Sequence, residues 1–241
     1  MSRVATLESK VVAQEIAFAK MLESPRYQPS EAVGFNGQAQ RKKVFSELAD
    51  AFAFNVIVET GTFFGDTAGY MATNTQAEVH TCEVSPIFYA LAKSRLTTVS
   101  NIHFCLGDSR AFLAALIKSD LFIRANPNPV FFYLDAHWYD DLPLAEELVL
   151  IAKIRGESVI MIDDFCVPDD PGFGYDNYGN NKSLDLATFA NCFRRLNLVP
   201  FFPAQPSTTE TGGKRGSVVL ARLGQSSERL RRVASLRLLQ P

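Results

Sequence analysis

The chain has 241 residues, of which 47% are hydrophobic and 21% charged, enough apolar content for a sizeable core and far from the composition of a disordered chain. Lysine and arginine total 24 against 26 acids, a formal charge of −2, so a dedicated nucleic-acid binder with a strongly basic surface is not expected. The four cysteines (Cys82, Cys105, Cys166, Cys192) form no C-x-x-C pair, the first residues carry no apolar signal region, and no apolar run approaches the roughly 18 residues of a spanning helix. The expectation is a reduced, cytoplasmic chain that does not contact membranes.

In chain order, residues 7–24 carry Val11, Val12, Ile16, Phe18 and Met21 at near-helical spacing and predict an amphipathic helix. A polar stretch with Pro25, Pro29, Gly34 and Gly37 follows as a linker, then a second helix over 38–53. Short β-rich runs at 55–59, 78–83, 101–105, 130–135 and 157–163 alternate with helical patterns near 66–73, 86–97, 109–120 and 141–155. That alternation predicts βαβ units and a parallel sheet. Near-continuous apolar strands such as VFFYL fit a sheet covered on both faces. The rhythm then breaks. A helix near 183–195 leads to LVPFF (198–202), a turn-rich stretch 203–215 and GSVVLARL (216–223), which predicts an antiparallel pair at the sheet edge. An arginine-rich helical pattern closes the chain at 227–239, with Arg229, Arg231, Arg232 and Arg237 on a solvated face. The division is an N-terminal helical extension (1–36), acting as a lid or a dimerisation element, and one α/β domain (37–241). A homo-oligomer is expected.

Ligands of open α/β sheets sit beyond the C-terminal strand ends. The first strand ends in Glu59-Thr60-Gly61-Thr62-Phe63-Phe64-Gly65-Asp66-Thr67, where Gly61 and Gly65 allow close backbone approach at a helix N-terminus. This is G-x-x-x-G and lacks the third glycine of a dinucleotide fingerprint, which disfavours a nicotinamide dehydrogenase. Glu83, ending the second strand, has the chemistry to hold two ribose hydroxyls. Gly107-Asp108-Ser109 follows the third, with Asp108 as helix cap, adenine partner or both. The fourth strand ends in LDAHW and the fifth in IDDF. They place Asp135, Asp163 and Asp164 at neighbouring strand ends, an arrangement whose repulsion a hard divalent cation offsets. His137 has three readings: a core histidine, a partner of metal-binding acids, or a general base. His80 and His103 lie within strands and read as structural. The stretch 166–182 reads as a mobile loop, with Tyr175, Tyr178 and Trp138 as candidate ring-stacking residues.

The order of these motifs resembles the class I S-adenosylmethionine-dependent methyltransferases over roughly residues 38–223. VETGTFFGDT, LDAHW and IDDF are similar to the metal-dependent small-molecule O-methyltransferases of the macrocin O-methyltransferase type, with cephalosporin hydroxylase-like proteins sharing the architecture. The resemblance implies a Rossmann-like, doubly wound, mostly parallel seven-stranded sheet with an antiparallel edge strand. It implies S-adenosylmethionine along Glu59, Thr60, Gly61, Gly65 and Thr67, with ribose at Glu83 and adenine beside Asp108 and Ser109. It further implies Mg²⁺ or another divalent cation on Asp135, Asp163 and Asp164, and catalysis by His137 with Asp135. Members of that group often carry a second acid where this chain has His137. The implied reaction is methyl transfer to a hydroxyl of a sugar diol or catechol-like molecule. A hydroxylase-type relative, or a non-catalytic nucleoside-binding protein on the same domain, are the other readings.

Overall fold

The computed structural model describes residues 33–123, 129–137, 141–179 and 182–239. The helix expected over 7–24, Pro25, Pro29 and Trp138 lie outside them. Eight strands form one sheet: β1 (Val56–Thr60), β2 (Glu78–Glu83), β3 (Ile102–Leu106), β4 (Val130–Leu134), β5 (Ser158–Asp163), β6 (Leu198–Pro203), β7 (Ser217–Arg222) and β8 (Leu236–Arg237). Their order is β3-β2-β1-β4-β5-β7-β6-β8, parallel from β3 to β5. The order reverses between β1 and β4, which opens a crevice beyond their C-terminal ends. The helices are α1 (Ala39–Phe52), α2 (Asp66–Thr73), α3 (Pro86–Arg95), α4 (Ser109–Leu116), α5 (Asp120–Ile123), α6 (Leu144–Ile151), α7 (Leu186–Arg195) and α8 (Gln225–Leu230).

Every residue of β1, β4 and β5 is buried, because helices cover both faces. Alternation divides their side chains between two cores. Val58, Phe132, Leu134 and Ile162 face α4, α6 and α7, while Ile57, Phe131, Tyr133 and Met161 face α1 and α2. On α1, Val44, Phe45, Leu48 and Phe52 form the buried stripe, and Phe45 meets Phe131 at 5.4 Å between ring centroids. The described part of the expected linker is packed rather than free. Phe35, in the turn Gly34–Gly37, is fully buried edge-on against Tyr133 at 5.2 Å.

The C-terminal part differs from expectation in two ways. The sheet has eight strands instead of seven, and antiparallel β7 is interior, between β5 and β6. The arginine-rich pattern is helical only over Gln225–Leu230; Leu236–Arg237 then pairs with Phe202 and Pro203 of β6. Leu230, Val233 and Leu236 are all buried, so this segment follows the sheet surface instead of continuing as an exposed helix. Arg231 and Arg232 are exposed as expected, whereas Arg229 bonds Glu157 at 3.0 Å and covers the Phe52 ring, and Arg237 bonds Asp169. Among the described residues no helix is long and apolar enough to cross a membrane.

Candidate functional site: an acid–histidine cluster at the strand reversal

β1 delivers Glu59, Thr60 and Gly61 to the crevice. Glu59 is 1% exposed and accepts the Thr81 hydroxyl at 2.6 Å. Burial pushes its carboxyl up to about 8; the Thr81 bond works against this, and nearby Glu83 and Asp66 add to it. Gly61 has φ +87°, and a Cβ there would lie 2.3 Å from the carbonyl oxygen of Asp135. Gly61 therefore permits the β4 loop to close on β1. Thr60 Oγ1 is buried without a hydrogen-bond partner. Gly65, φ +78°, caps α2 and packs on Leu96, and Thr67 Oγ1 accepts from the Phe35 amide at 3.1 Å. Thr67 thus anchors the N-terminal turn.

Glu83, at the end of β2, is nearly buried. One oxygen accepts the Phe63 amide and the other the Ser85 amide, each at 2.8 Å. The carboxylate is fixed in orientation, and each oxygen keeps a lone pair for a vicinal diol. Asp108 caps α4 by accepting from the Arg110 and Ala111 amides; its bond to the Arg110 side chain is the largest influence holding its carboxyl below the usual range. Ser109 beside it is buried. A cavity of about 480 Å³ at the free edge of β3 is lined by His80, His103, Cys105, Asp108 and Phe112, and by none of the β4 or β5 acids. His80 and His103 stack there at 4.5 Å.

The acids of β4 and β5 divide. Asp163 turns toward α1, where it is paired with Arg41 and accepts from Tyr133 Oη at 2.5 Å and Asn36 Nδ2 at 3.2 Å. Arg41 also donates to the carbonyls of Arg215 and Gly216. Burial raises the Asp163 carboxyl and Arg41 opposes that rise. Asp164 points the other way, since neighbouring side chains at a strand end alternate, and its backbone is left-handed at φ 53°. Asp135, His137 and Asp164 converge, with one ligand atom of each within 4.8 Å of the others. His137 Nε2 lies 3.7 Å from Asp135 Oδ1 and 3.8 Å from Asp164 Oδ2. It is buried and has no hydrogen-bond partner. Desolvation and the neighbouring Asp163, Asp164 and Glu59 hold the Asp135 carboxyl well above its ordinary value. Desolvation also lifts Asp164, but His137 and Arg215 outweigh it and keep that carboxyl low.

The cluster brings together Asp135, His137 and Asp164 of the expected set and leaves Asp163 with Arg41. Three charged neighbours of the cluster escaped sequence reasoning: Asp176, whose Oδ2 lies 3.8 Å from His137 Nε2, Arg215, which pairs with Asp164, and Arg41. Asp176 and Arg215 lie in turn-rich segments without periodicity. Arg41 left a readable sign, because it shares the helical spacing of Val44, Phe45, Leu48 and Phe52 on α1. Tyr175 is 37% exposed, and Tyr178 bonds Asp176.

This arrangement of strands and helices has counterparts among solved structures. An O-methyltransferase from Bacillus cereus, in complex with S-adenosylhomocysteine, superimposes with TM-score 0.51 over 76% of this chain and 80% of its own, at 17% identity. A putative O-methyltransferase from Klebsiella pneumoniae gives 0.51 over 77% and 81%, at 14% identity. One from Nostoc punctiforme gives 0.53 over 76% of this chain and 56% of that one, at 13% identity. The fold is that of the class I methyltransferases. No protein-family model matches the sequence, and no curated protein matches it. Sequence identities this low establish the shared fold and leave activity to the residues of the site.

Proposed function

We propose that this protein transfers a methyl group from S-adenosylmethionine to a hydroxyl of a small molecule, with a divalent cation such as Mg²⁺ held by Asp135, His137 and Asp164. The reading rests chiefly on the orphaned, buried Nε2 of His137 facing two carboxylates, in a crevice of methyltransferase type. A buried imidazole nitrogen among acids fits a cation, which would satisfy the nitrogen and offset the repulsion between the acids. S-adenosylmethionine supplies an electrophilic methyl on sulfur, and a divalent cation supplies Lewis acidity toward a coordinated hydroxyl.

The chain's own residues would do the positioning. Glu83 would accept two hydrogen bonds from the ribose, with its orientation already set by the Phe63 and Ser85 amides. Gly61 keeps β1 close to the Asp135 loop, which would bring a nucleoside held at Glu83 toward the acid cluster. With Nε2 of His137 used as a ligand atom, the hydroxyl proton would pass to a carboxylate oxygen of Asp135, whose carboxyl is held well above its ordinary value and so takes up a proton readily. A cation with open positions favours an acceptor offering two adjacent oxygens, a sugar diol or a catechol.

Calorimetric titration with S-adenosylhomocysteine, with NAD as the control, tests the cofactor; micromolar affinity for the first alone is expected. Absence of S-adenosylhomocysteine binding by folded protein would remove the methyltransferase reading. In assays with labelled S-adenosylmethionine, diol and catechol acceptors and Mg²⁺, His137→Ala and Asp135→Asn should each lose about 10²-fold or more of turnover. Their S-adenosylhomocysteine affinity should stay within about threefold of wild type, a shift below 1 kcal/mol. Turnover that survives both substitutions and a chelator would contradict the metal role.

A further inference from the structure

We propose that Asp176, on the segment after β5, supplies a fourth donor to this cation site, in the place Asp163 leaves by pairing with Arg41. The inference rests on the divalent-cation reading above and extends it to a residue outside the strand-end motifs.

Asp176 is held firmly. Its amide donates to the Asp164 carbonyl and its carbonyl accepts from the Leu184 amide, both at 2.9 Å. Gly174 bridges to Arg215 and Asn177 to Ser183 on either side of it. Its carboxylate repeats the arrangement of Asp164. Arg215 takes one oxygen of each, Nε to Asp164 Oδ1 and Nη2 to Asp176 Oδ1. The remaining oxygens, Asp164 Oδ2 and Asp176 Oδ2, both lie 3.8 Å from His137 Nε2. With Asp135 Oδ1 at 3.7 Å, Nε2 faces three carboxylate oxygens at nearly one distance, each too long for a hydrogen bond.

Donors about 2.1 Å from a shared ion lie roughly 3.0–3.4 Å apart in octahedral or tetrahedral geometry. Asp176 lies outside the group whose ligand atoms are all within 4.8 Å of one another, so its carboxylate would move furthest as the donors close on a shared ion around His137 Nε2. Arg215 neutralises only part of the charge of the three carboxylates, and Arg41 is committed to Asp163. The remaining negative charge calls for a divalent ion rather than a monovalent one. Tyr178, whose hydroxyl donates to Asp176 Oδ2, orients that oxygen without exhausting its lone pairs. An imidazole among carboxylates also suits Mn²⁺ at least as well as Mg²⁺, which makes Mn²⁺ a suitable probe.

The test titrates the full chain with Mn²⁺, reading the loss of the free-ion electron paramagnetic resonance signal. Asp176→Asn should weaken Mn²⁺ binding about tenfold or more, as loss of a coordinating or orienting group does. Asp169→Asn, which removes an acid of the same segment that pairs with Arg237, should leave binding unchanged. A wild-type measurement guards against a variant that fails to fold: Mn²⁺ should slow amide hydrogen exchange around 174–178. If the wild-type chain binds no Mn²⁺, the cation reading and this inference both fall. If it binds Mn²⁺ but Asp176→Asn binds equally well, or exchange around 174–178 does not slow, Asp176 is not a ligand and the three-residue site stands alone.

Discussion

Glu59, 1% exposed, sits near the end of a buried strand, an environment that favours the protonated form of its carboxyl. Its ordinary value of 4.5 is raised to about 8 in the folded chain. The unfolded chain therefore releases this proton near pH 4.5, whereas the folded chain keeps it until about 8. The stabilisation is complete below the lower value and is lost as pH rises through the upper one. A Tm profile from pH 5 to 8 should fall, and Glu59→Gln should flatten it, recovering on the order of a few kcal/mol at pH 8. Parallel profiles for the two proteins would show that Glu59 ionises freely. Residue types at this scale were partly legible. The acids at strand ends were visible in the sequence, and so was the candidacy of His137. Which of Asp163 and Asp164 would face the cluster was not, because that depends on which face of β5 meets α1.

The turn Gly34–Gly37 reads as linker in the sequence, since two glycines and polar neighbours surround a single phenylalanine. In the fold that phenylalanine is fully buried among Phe45, Tyr70 and Tyr133, and its amide is bonded to Thr67. One residue further on, Asn36 reaches Asp163. Phe35→Ala should cost about 3–5 kcal/mol, as large-to-small changes in a closed core do, measured by urea unfolding. A cost below about 1 kcal/mol would mean the turn is only loosely attached to the core. The parallel strands and their helices were legible because their patterns repeat over many residues. A single anchoring ring carries no period and leaves no such signal.

Across the whole molecule, Arg41 joins three elements. Its guanidinium pairs with Asp163 at the end of β5 and donates to the carbonyls of Arg215 and Gly216 leading into β7, while α1 carries its backbone. Removing one partner of such a buried pair leaves a charge without compensation. Arg41→Met should therefore destabilise the chain by about 3–5 kcal/mol. Adding Asp163→Asn should restore part of that loss, because the stranded carboxylate is then gone. Purely additive losses in denaturant unfolding would show that the two side chains do not act as a pair. The same contact also shapes the candidate site, since Asp163, held by α1, is turned away from the His137 cluster.

The sequence by itself determined the parallel α/β core and the residue types at the strand ends, because local periodicity and short motifs encode them. The tertiary structure alone decided that β7 runs inside the sheet and that the C-terminal segment adds β8 at its edge. It also decided that Asp135, His137 and Asp164 gather, that Asp176 approaches His137 and shares Arg215 with Asp164, and that Asp163 faces Arg41. Those outcomes depend on pairings between residues far apart in the chain. Such pairings are settled by which buried charges find partners and which strand edges are covered, and no local pattern of residues records either.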